Sequence, residues 1–259
     1  MRIGVDVGGT KLEAIALTPS GEELTRTRIA APRGDYRHTV DAIAELVERV
    51  ERDAGQTGTV GVGMPGTISP ATGLVKNANS TWLNGHPLGR DLPIRLSRPV
   101  RFANDANCFA LSESADGAAA GVRNVFGAIL GTGTGGGLVI DGQVVVGANA
   151  VAGEWGHTPL PWPRPGEWPG EACYCGRTGC LETFLSGPGL ARDFELTANK
   201  KEAPEAIVAL ANAGDLAAVS CLQRYENRLA RALAVVINIL DPDVIVLGGG
   251  LSNVERLYT

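Results

Sequence analysis

With 259 residues, the chain has material for one large or two modest domains and a full hydrophobic core. Hydrophobic residues at 44% and charged residues at 20% exclude a disordered chain, and a net charge of −5 without a Lys/Arg block excludes a nucleic-acid footprint. The longest apolar runs, such as "ALAVVINIL" (232–240), are too short for a bilayer, and "MRIGVDVGGT" lacks a signal-peptide pattern, so a soluble cytoplasmic protein without membrane partners is expected.

The elements alternate between strand and helix. "RIGVDV" (2–7) and "LEAIALT" (12–18) read as strands, with Pro19-Ser20-Gly21 as the turn before "EELTRTRIA". Apolar residues at 40, 43, 46, 47 and 50 predict a helix over 39–54. "VGVGMPG" (60–66) is a buried strand and turn. "VRFAND" (100–105) is a strand that leads into a helix over 106–121. Strand and turn return over 125–146, a long helix is predicted over 217–240, and "DVIVLGGG" (243–250) is a strand entering a glycine turn. Ser252 and Glu255 have capping-box spacing, which predicts a helix start there. The pattern is that of an α/β protein. "IGVDVGGTKLEAIALTPSG" and "FGAILGTGTGGGLVIDG" share a strand–turn–strand layout that aligns Gly4 with Gly127 and Gly8 with Gly131, as two related lobes would.

Three glycine turns carry chemistry. "DVGGTK" (6–11) has neither Walker A spacing nor the dinucleotide fingerprint, but it offers backbone N–H groups, the Thr10 hydroxyl and Lys11 to an anion. Asp6 could hold a cation beside it. "GTGTGG" (131–136) and "LGGGLSN" (247–253) are turns of the same kind, and together they favour a nucleoside triphosphate over three plain hairpins. Asn104 and Asp105 sit at a strand-to-helix junction, where ligands gather in α/β sheets. Asp105 there can take a substrate hydroxyl proton; a helix N-cap is the competing role.

Cys173, Cys175 and Cys180 fall within eight positions. With His157 as the fourth ligand they favour a closed, structural zinc over a local disulfide with a free thiol or a reactive nucleophile. Such a zinc would fix Glu154 and Glu182 beside it, where they could hydrogen-bond sugar hydroxyls; solvated surface glutamates are the competing reading. Cys108 and Cys221 are expected to be buried free thiols within helices.

"GVDVGGTK", "FANDANC", "GTGTGGG", "GEWGH", "CYCGRTGCLE" and "DPDVIVLGGGLSN", in this order, resemble the ROK family of bacterial sugar kinases over the whole chain. "HPLGRDLP" and "VKNANSTWLNG" look most like its proteobacterial fructokinase (manno-fructokinase) branch, with N-acetylglucosamine kinase a near relative. The resemblance implies an actin-like, ribonuclease-H-type duplicated fold, with lobes over 1–120 and 121–259 and an interlobe cleft for ATP with Mg²⁺. It implies transfer of phosphate to the 6-hydroxyl of fructose, with mannose or glucose as further substrates and N-acetylglucosamine as the alternative. By matched position Asp105 is the base, and Asn79, Asn104, Glu154, His157 and Glu182 contact the sugar, with His157 also on zinc. Asp6, Gly8, Gly9, Thr10 and Lys11, together with Gly131, Thr132, Gly133, Thr134 and Gly135, form the phosphate loops, and Gly249 and Gly250 lie by the adenosine. Homodimers are common in the family. Its members continue a few tens of residues beyond the position of Thr259, where the chain returns to the first lobe. A regulator of the same family would carry a helix-turn-helix ahead of the first glycine turn, where only five residues precede Asp6.

Overall fold

A computed structural model describes residues 1–258, which form two compact units. The first comprises Met1–Cys108 with Val146–Val151; the second comprises Phe109–Val145 with Ala152 onward.

The first unit is built on β1 (Arg2–Val7), β2 (Lys11–Leu17), β3 (Glu23–Ala30), α1 (Tyr36–Ala54), β4 (Thr59–Met64), the short β5 (Thr67–Ile68) and β6 (Val75–Lys76), α2 (Leu88–Leu96) and β7 (Val100–Asn104). Its main sheet has the order β3-β2-β1-β4-β7. β1, β2 and β3 pair antiparallel, whereas β4 and β7 run parallel to β1. In β1 the alternation buries Ile3, Val5 and Val7 and leaves Gly4 and Asp6 on the opposite face. α1 is closed at one end by the Asp35 carboxylate, which accepts the N–H of His38, and at the other by Gly55 in the left-handed region. Its apolar stripe, Val40, Ile43, Val47 and Val50, packs on the buried sheet face with Leu12, Val62, Leu83, Leu88 and Leu92.

The second unit contains most of α3 (Asp105–Ala115), then β8 (Asn124–Leu130), β9 (Thr134–Ile140), β10 (Gln143–Val144), α4 (Glu182–Leu185), α5 (Gly187–Ala198), α6 (Pro204–Asn212), α7 (Leu216–Leu240) and β11 (Val244–Gly248). Its sheet order is β10-β9-β8-β11, with β8 and β9 antiparallel and β11 parallel to β8. The repeat read from sequence has a structural counterpart. In both units an antiparallel hairpin with a glycine turn carries a parallel strand on the outer side of its first member. α7 begins at Asp215, whose carboxylate accepts the N–H of Ala218, and buries Cys221, Leu222, Tyr225 and Leu229 against Phe194, Leu190 and Ile207.

Two helix expectations differ from the structure. α3 ends at Ala115, not near residue 121, because Glu113 turns its carboxylate onto the N–H of Ala118 and its carbonyl onto that of Ala119. The expected capping box is absent as well. The Ser252 hydroxyl donates to the Gly249 carbonyl at 2.7 Å, and two short 3-10 turns, Gly250–Asn253 and Glu255–Tyr258, follow. Among the described residues no single helix is long and apolar enough to cross a membrane; α6 and α7 pass that test only jointly, across a bend of 114°.

Candidate functional site

In the first unit the hairpin between β1 and β2 closes with the Gly8 N–H on the Lys11 carbonyl at 2.9 Å, which sets Gly8, Gly9, Thr10 and Lys11 on a tight turn. Asp6, just before it, and Asp105, just after β7, line one groove of about 700 Å³ on the sheet face away from α1. Both lie at the carboxyl ends of parallel strands. Each carboxyl is raised from its ordinary value, chiefly because surrounding protein replaces water. For Asp105 the negative charge of Asp6 adds to the shift, against the Ala106 N–H bond that lowers it. For Asp6, Lys11 opposes it.

Asn104 takes the capping role at this junction. Its Oδ1 accepts the N–H groups of Ala106 and Asn107 at 3.0 and 3.3 Å, and its Nδ2 donates to the Gly66 carbonyl. Asp105 Oδ1 accepts from Ala106 at 2.8 Å. Gly66 has φ +68°, and a Cβ there would strike the Lys76 carbonyl and the Ala78 N–H. That contact seats the 76–79 loop next to Asn104. Asn84 holds the same loop by bonding both backbone groups of Ala78, and Asn79, the next residue, is exposed. Cys108 was expected to be buried but is exposed on the first turns of α3 and lines the groove; Cys221 is buried, with its thiol on Asp193. The helical period placed Cys108 on a face that this unit leaves uncovered.

In the second unit the turn between β8 and β9 carries Gly131, Thr132 and Gly133, and Thr134 and Gly135 begin β9. Gly249 lies against Leu130 and Gly131, so the "LGGG" turn meets this hairpin, and Gly250 follows it. Glu182, the first residue of α4, accepts the N–H of Thr134 at 3.1 Å. Burial raises its carboxyl, a shift opposed by the Thr134 hydrogen bond. The 3-10 turn Trp155–His157 packs on the other side: Trp155 Nε1 donates to the Gly135 carbonyl at 2.7 Å. Gly156 is needed there, because a Cβ would run into the Thr134 carbonyl. Glu154, immediately before that turn, is half-buried.

His157, Cys173, Cys175 and Cys180 present four ligand atoms within 4.8 Å of one another. Zn–S bonds of about 2.3 Å and Zn–N bonds of about 2.0–2.1 Å put tetrahedral edges near about 3.8 Å for two sulfurs and about 3.6 Å for sulfur and nitrogen. The Cys175–Cys180 Sγ separation is 3.6 Å and the Cys173 Sγ–His157 Nδ1 separation is 3.5 Å, so the donor set fits zinc. None of the five cysteines is in a disulfide. Backbone pairing explains the convergence. Cys173 donates to the Arg177 carbonyl, which folds the loop on itself. Leu160 and Leu181 then exchange bonds with Gly179 and Thr158, which lays the returning strand beside the residues after His157. Burial pushes the Cys180 thiol up to about 12 and raises that of Cys173. Two thiols held protonated in this way need a cation to become thiolates.

Three features of this region were missed in the sequence. Tyr174, between two cysteines, stands edge-on to the His157 ring with its hydroxyl 3.0 Å from Nε2. The second is the bond from Trp155 to the Gly135 carbonyl. The third is an ion network beneath the Pro/Trp-rich loop. Glu167 accepts from Arg228 Nε at 2.9 Å and from Arg231 at 2.8 Å, Arg228 also reaches Asp193 at 2.7 Å, and Arg231 donates to the carbonyls of Pro161 and Trp162. Arg228 lies over the Phe184 ring, two residues after Glu182. The spacing of Arg224, Arg228 and Arg231 along one face of α7 was a signal available in the sequence; Glu167 as their partner was not.

The family model for the ROK family matches residues 2–259. An N-acetyl-D-glucosamine kinase of Photobacterium profundum is 43% identical over 262 aligned residues, which cover 100% of this chain and 86% of the relative. A ROK hexokinase from Thermus thermophilus superposes with TM-score 0.83 at 34% identity, covering 98% of this chain and 83% of that one. A ROK glucokinase from Streptomyces griseus, solved with glucose and AMPPNP, gives TM-score 0.80 at 29% identity over 99% and 85% of the two chains. These relatives carry the two-lobed, actin-like fold that the motifs implied. They overturn the fructokinase branch, since the strong sequence relatives are N-acetyl-D-glucosamine kinases at 41–43% identity. The segments that suggested fructokinase serve packing. Leu83 and Leu88 are fully buried, Trp82 bonds Thr39, and His86 stacks on Tyr36 at 4.2 Å, so these residues pack the first unit. The chain belongs to the ROK family and is one of its ATP-dependent sugar kinases.

Proposed function

We propose that the protein transfers the γ-phosphoryl group of ATP to the 6-hydroxyl of N-acetylglucosamine. The observation that carries the chemistry is the pair Asp6 and Asp105, two carboxylates on one groove at the ends of parallel strands, with Asn104 rather than Asp105 doing most of the capping. The strong identity to N-acetyl-D-glucosamine kinases supports the choice of sugar.

The sugar oxygen attacks the γ-phosphorus, the bond to the β–γ bridging oxygen breaks, and the hydroxyl proton passes to the Asp105 carboxylate. A carboxyl raised by its surroundings is a stronger base once ionised, and general-base help is worth about 10²–10⁴ in rate. Phosphoryl transfer depends mostly on positioning and on neutralising phosphate charge. The turns at Gly8–Lys11 and Gly131–Gly135 offer N–H groups to the phosphates, with Gly249 and Gly250 beside the adenosine. Asp6 would hold Mg²⁺, which would supply positive charge against the phosphates. Asn79, Glu154, His157 and Glu182 hold the sugar hydroxyls. His157 and the three cysteines would hold zinc, which would keep that loop in place; a site with four protein ligands would be structural and leave the chemistry to Asp105.

An ADP-release assay with Mg-ATP against N-acetylglucosamine, glucose, mannose and N-acetylmannosamine tests the reading. The expected result is the highest kcat/KM with N-acetylglucosamine. Preference for another of these sugars would overturn the substrate, and sugar-independent turnover would overturn the reaction.

A further inference from the structure

His157 presents Nδ1 to the sulfurs, 3.5 Å from Cys173, and Nε2 to the Tyr174 hydroxyl at 3.0 Å. With Nδ1 as ligand atom the ring proton sits on Nε2, so the phenol oxygen accepts it. A histidine ligand's second nitrogen usually has such a partner, which fixes tautomer and ring plane. Here the partner is unusual in two ways. Tyr174 is 56% exposed, so its side chain can swing away at little cost to packing. Its phenol also lies where the charges of Glu182 and Glu154 are both felt, that is, among the residues that would meet a sugar.

We propose that Tyr174 is a positioning residue that holds His157 in its metal-binding orientation and yields the same N–H to a sugar hydroxyl when substrate binds. Phenol and sugar then alternate on Nε2, and the metal-facing Nδ1 is oriented in both states. This rests on the sugar-kinase reading above.

The test follows zinc release from the zinc-loaded full chain into excess chelator, read by a colorimetric zinc indicator, for wild type and Tyr174→Phe. Circular dichroism first shows that the variant is folded. Without sugar, the variant should release zinc about 10–100 times faster. With saturating N-acetylglucosamine the two proteins should release it at one rate, because the sugar hydroxyl now holds Nε2 in both. Equal rates without sugar would overturn the proposal, as would a gap that sugar leaves unchanged. Failure of the sugar-kinase reading shows separately, as no turnover with any sugar while the sugar-free difference in zinc release persists.

Discussion

Glu182 Oε2 accepts the backbone N–H of Thr134 at 3.1 Å, which ties the residue two positions after Cys180 to the glycine hairpin of the second unit. One carboxylate therefore spans two motifs that lie 48 positions apart in the chain. Replacing it by alanine strands a buried N–H, at a cost of about 1–3 kcal/mol. Glu182→Ala should raise KM for both ATP and sugar, whereas Glu182→Gln, which keeps an acceptor, should spare ATP. Steady-state kinetics with each substrate varied in turn checks this; a sugar-only effect in both variants would show that the hairpin does not depend on Glu182.

Asp105→Asn should lower kcat by about 10²–10⁴ without loss of stability. A carboxyl whose pKa rises on folding favours the native state fully below its unfolded pKa, and that advantage is lost as pH climbs through the folded value. At neutral pH the charged Asp105 is therefore a cost, and the amide removes it. Urea unfolding at pH 7 should give a midpoint at or above wild type; a clear fall would contradict the assignment.

The same shift sets a pH dependence. kcat/KM should fall on the acid side through an ionisation above the ordinary aspartate value of 3.8. Part of that elevation comes from Asp6, so Asp6→Asn should lower it. A carboxyl-carbon NMR titration of Asp105 in both proteins reads this without reference to turnover, and an unchanged Asp105 titration would show that the two carboxylates do not sense each other.

Cys175→Ser should lose about one zinc per chain, along with the order of the 171–180 loop. In wild type, zinc binding to apo protein should release protons at pH 7, because burial holds Cys173 and Cys180 protonated without a cation. Metal analysis and calorimetry in buffers of different ionisation enthalpy measure both. Metal-free wild type with full activity would contradict the structural role.

The Glu167 network predicts a stability defect away from any substrate. Glu167, Arg228 and Arg231 are about nine-tenths buried, at 9%, 10% and 12% side-chain exposure. Glu167→Ala leaves Arg231 without its carboxylate and Arg228 with Asp193 alone, a loss of about 3–5 kcal/mol in a buried setting. Wild type should also lose stability below the ordinary carboxylate range, as pH falls through the lowered pKa of Glu167, and the variant should lose less there. Urea titrations at pH 7 and pH 3 test both.

Much of the fold was legible because strand and helix periods are local properties. β1, α1 and α7 follow directly from alternation and from a 3.6-residue stripe, and the shared hairpin layout was visible as Gly4 against Gly127. The grouping of four candidate metal ligands was legible as well, since Cys173, Cys175 and Cys180 lie on one short loop and His157 is the histidine nearest in sequence. Other features needed three dimensions. Burial of Cys108 depends on what covers a helix face, and no period reports that. The sugar branch was misread from residues 75–93 because packing and binding residues look alike as strings; His86 on Tyr36 and Trp82 on Thr39 show that much of the stretch packs the first unit. The sequence by itself determined which residue types are available for phosphate, metal and proton transfer. The tertiary structure decided which of them meet: Glu182 with Thr134, Tyr174 with His157, Glu167 with Arg228. Such pairings follow from chain reversals and packing between distant segments, and those contacts leave no periodic trace along the chain.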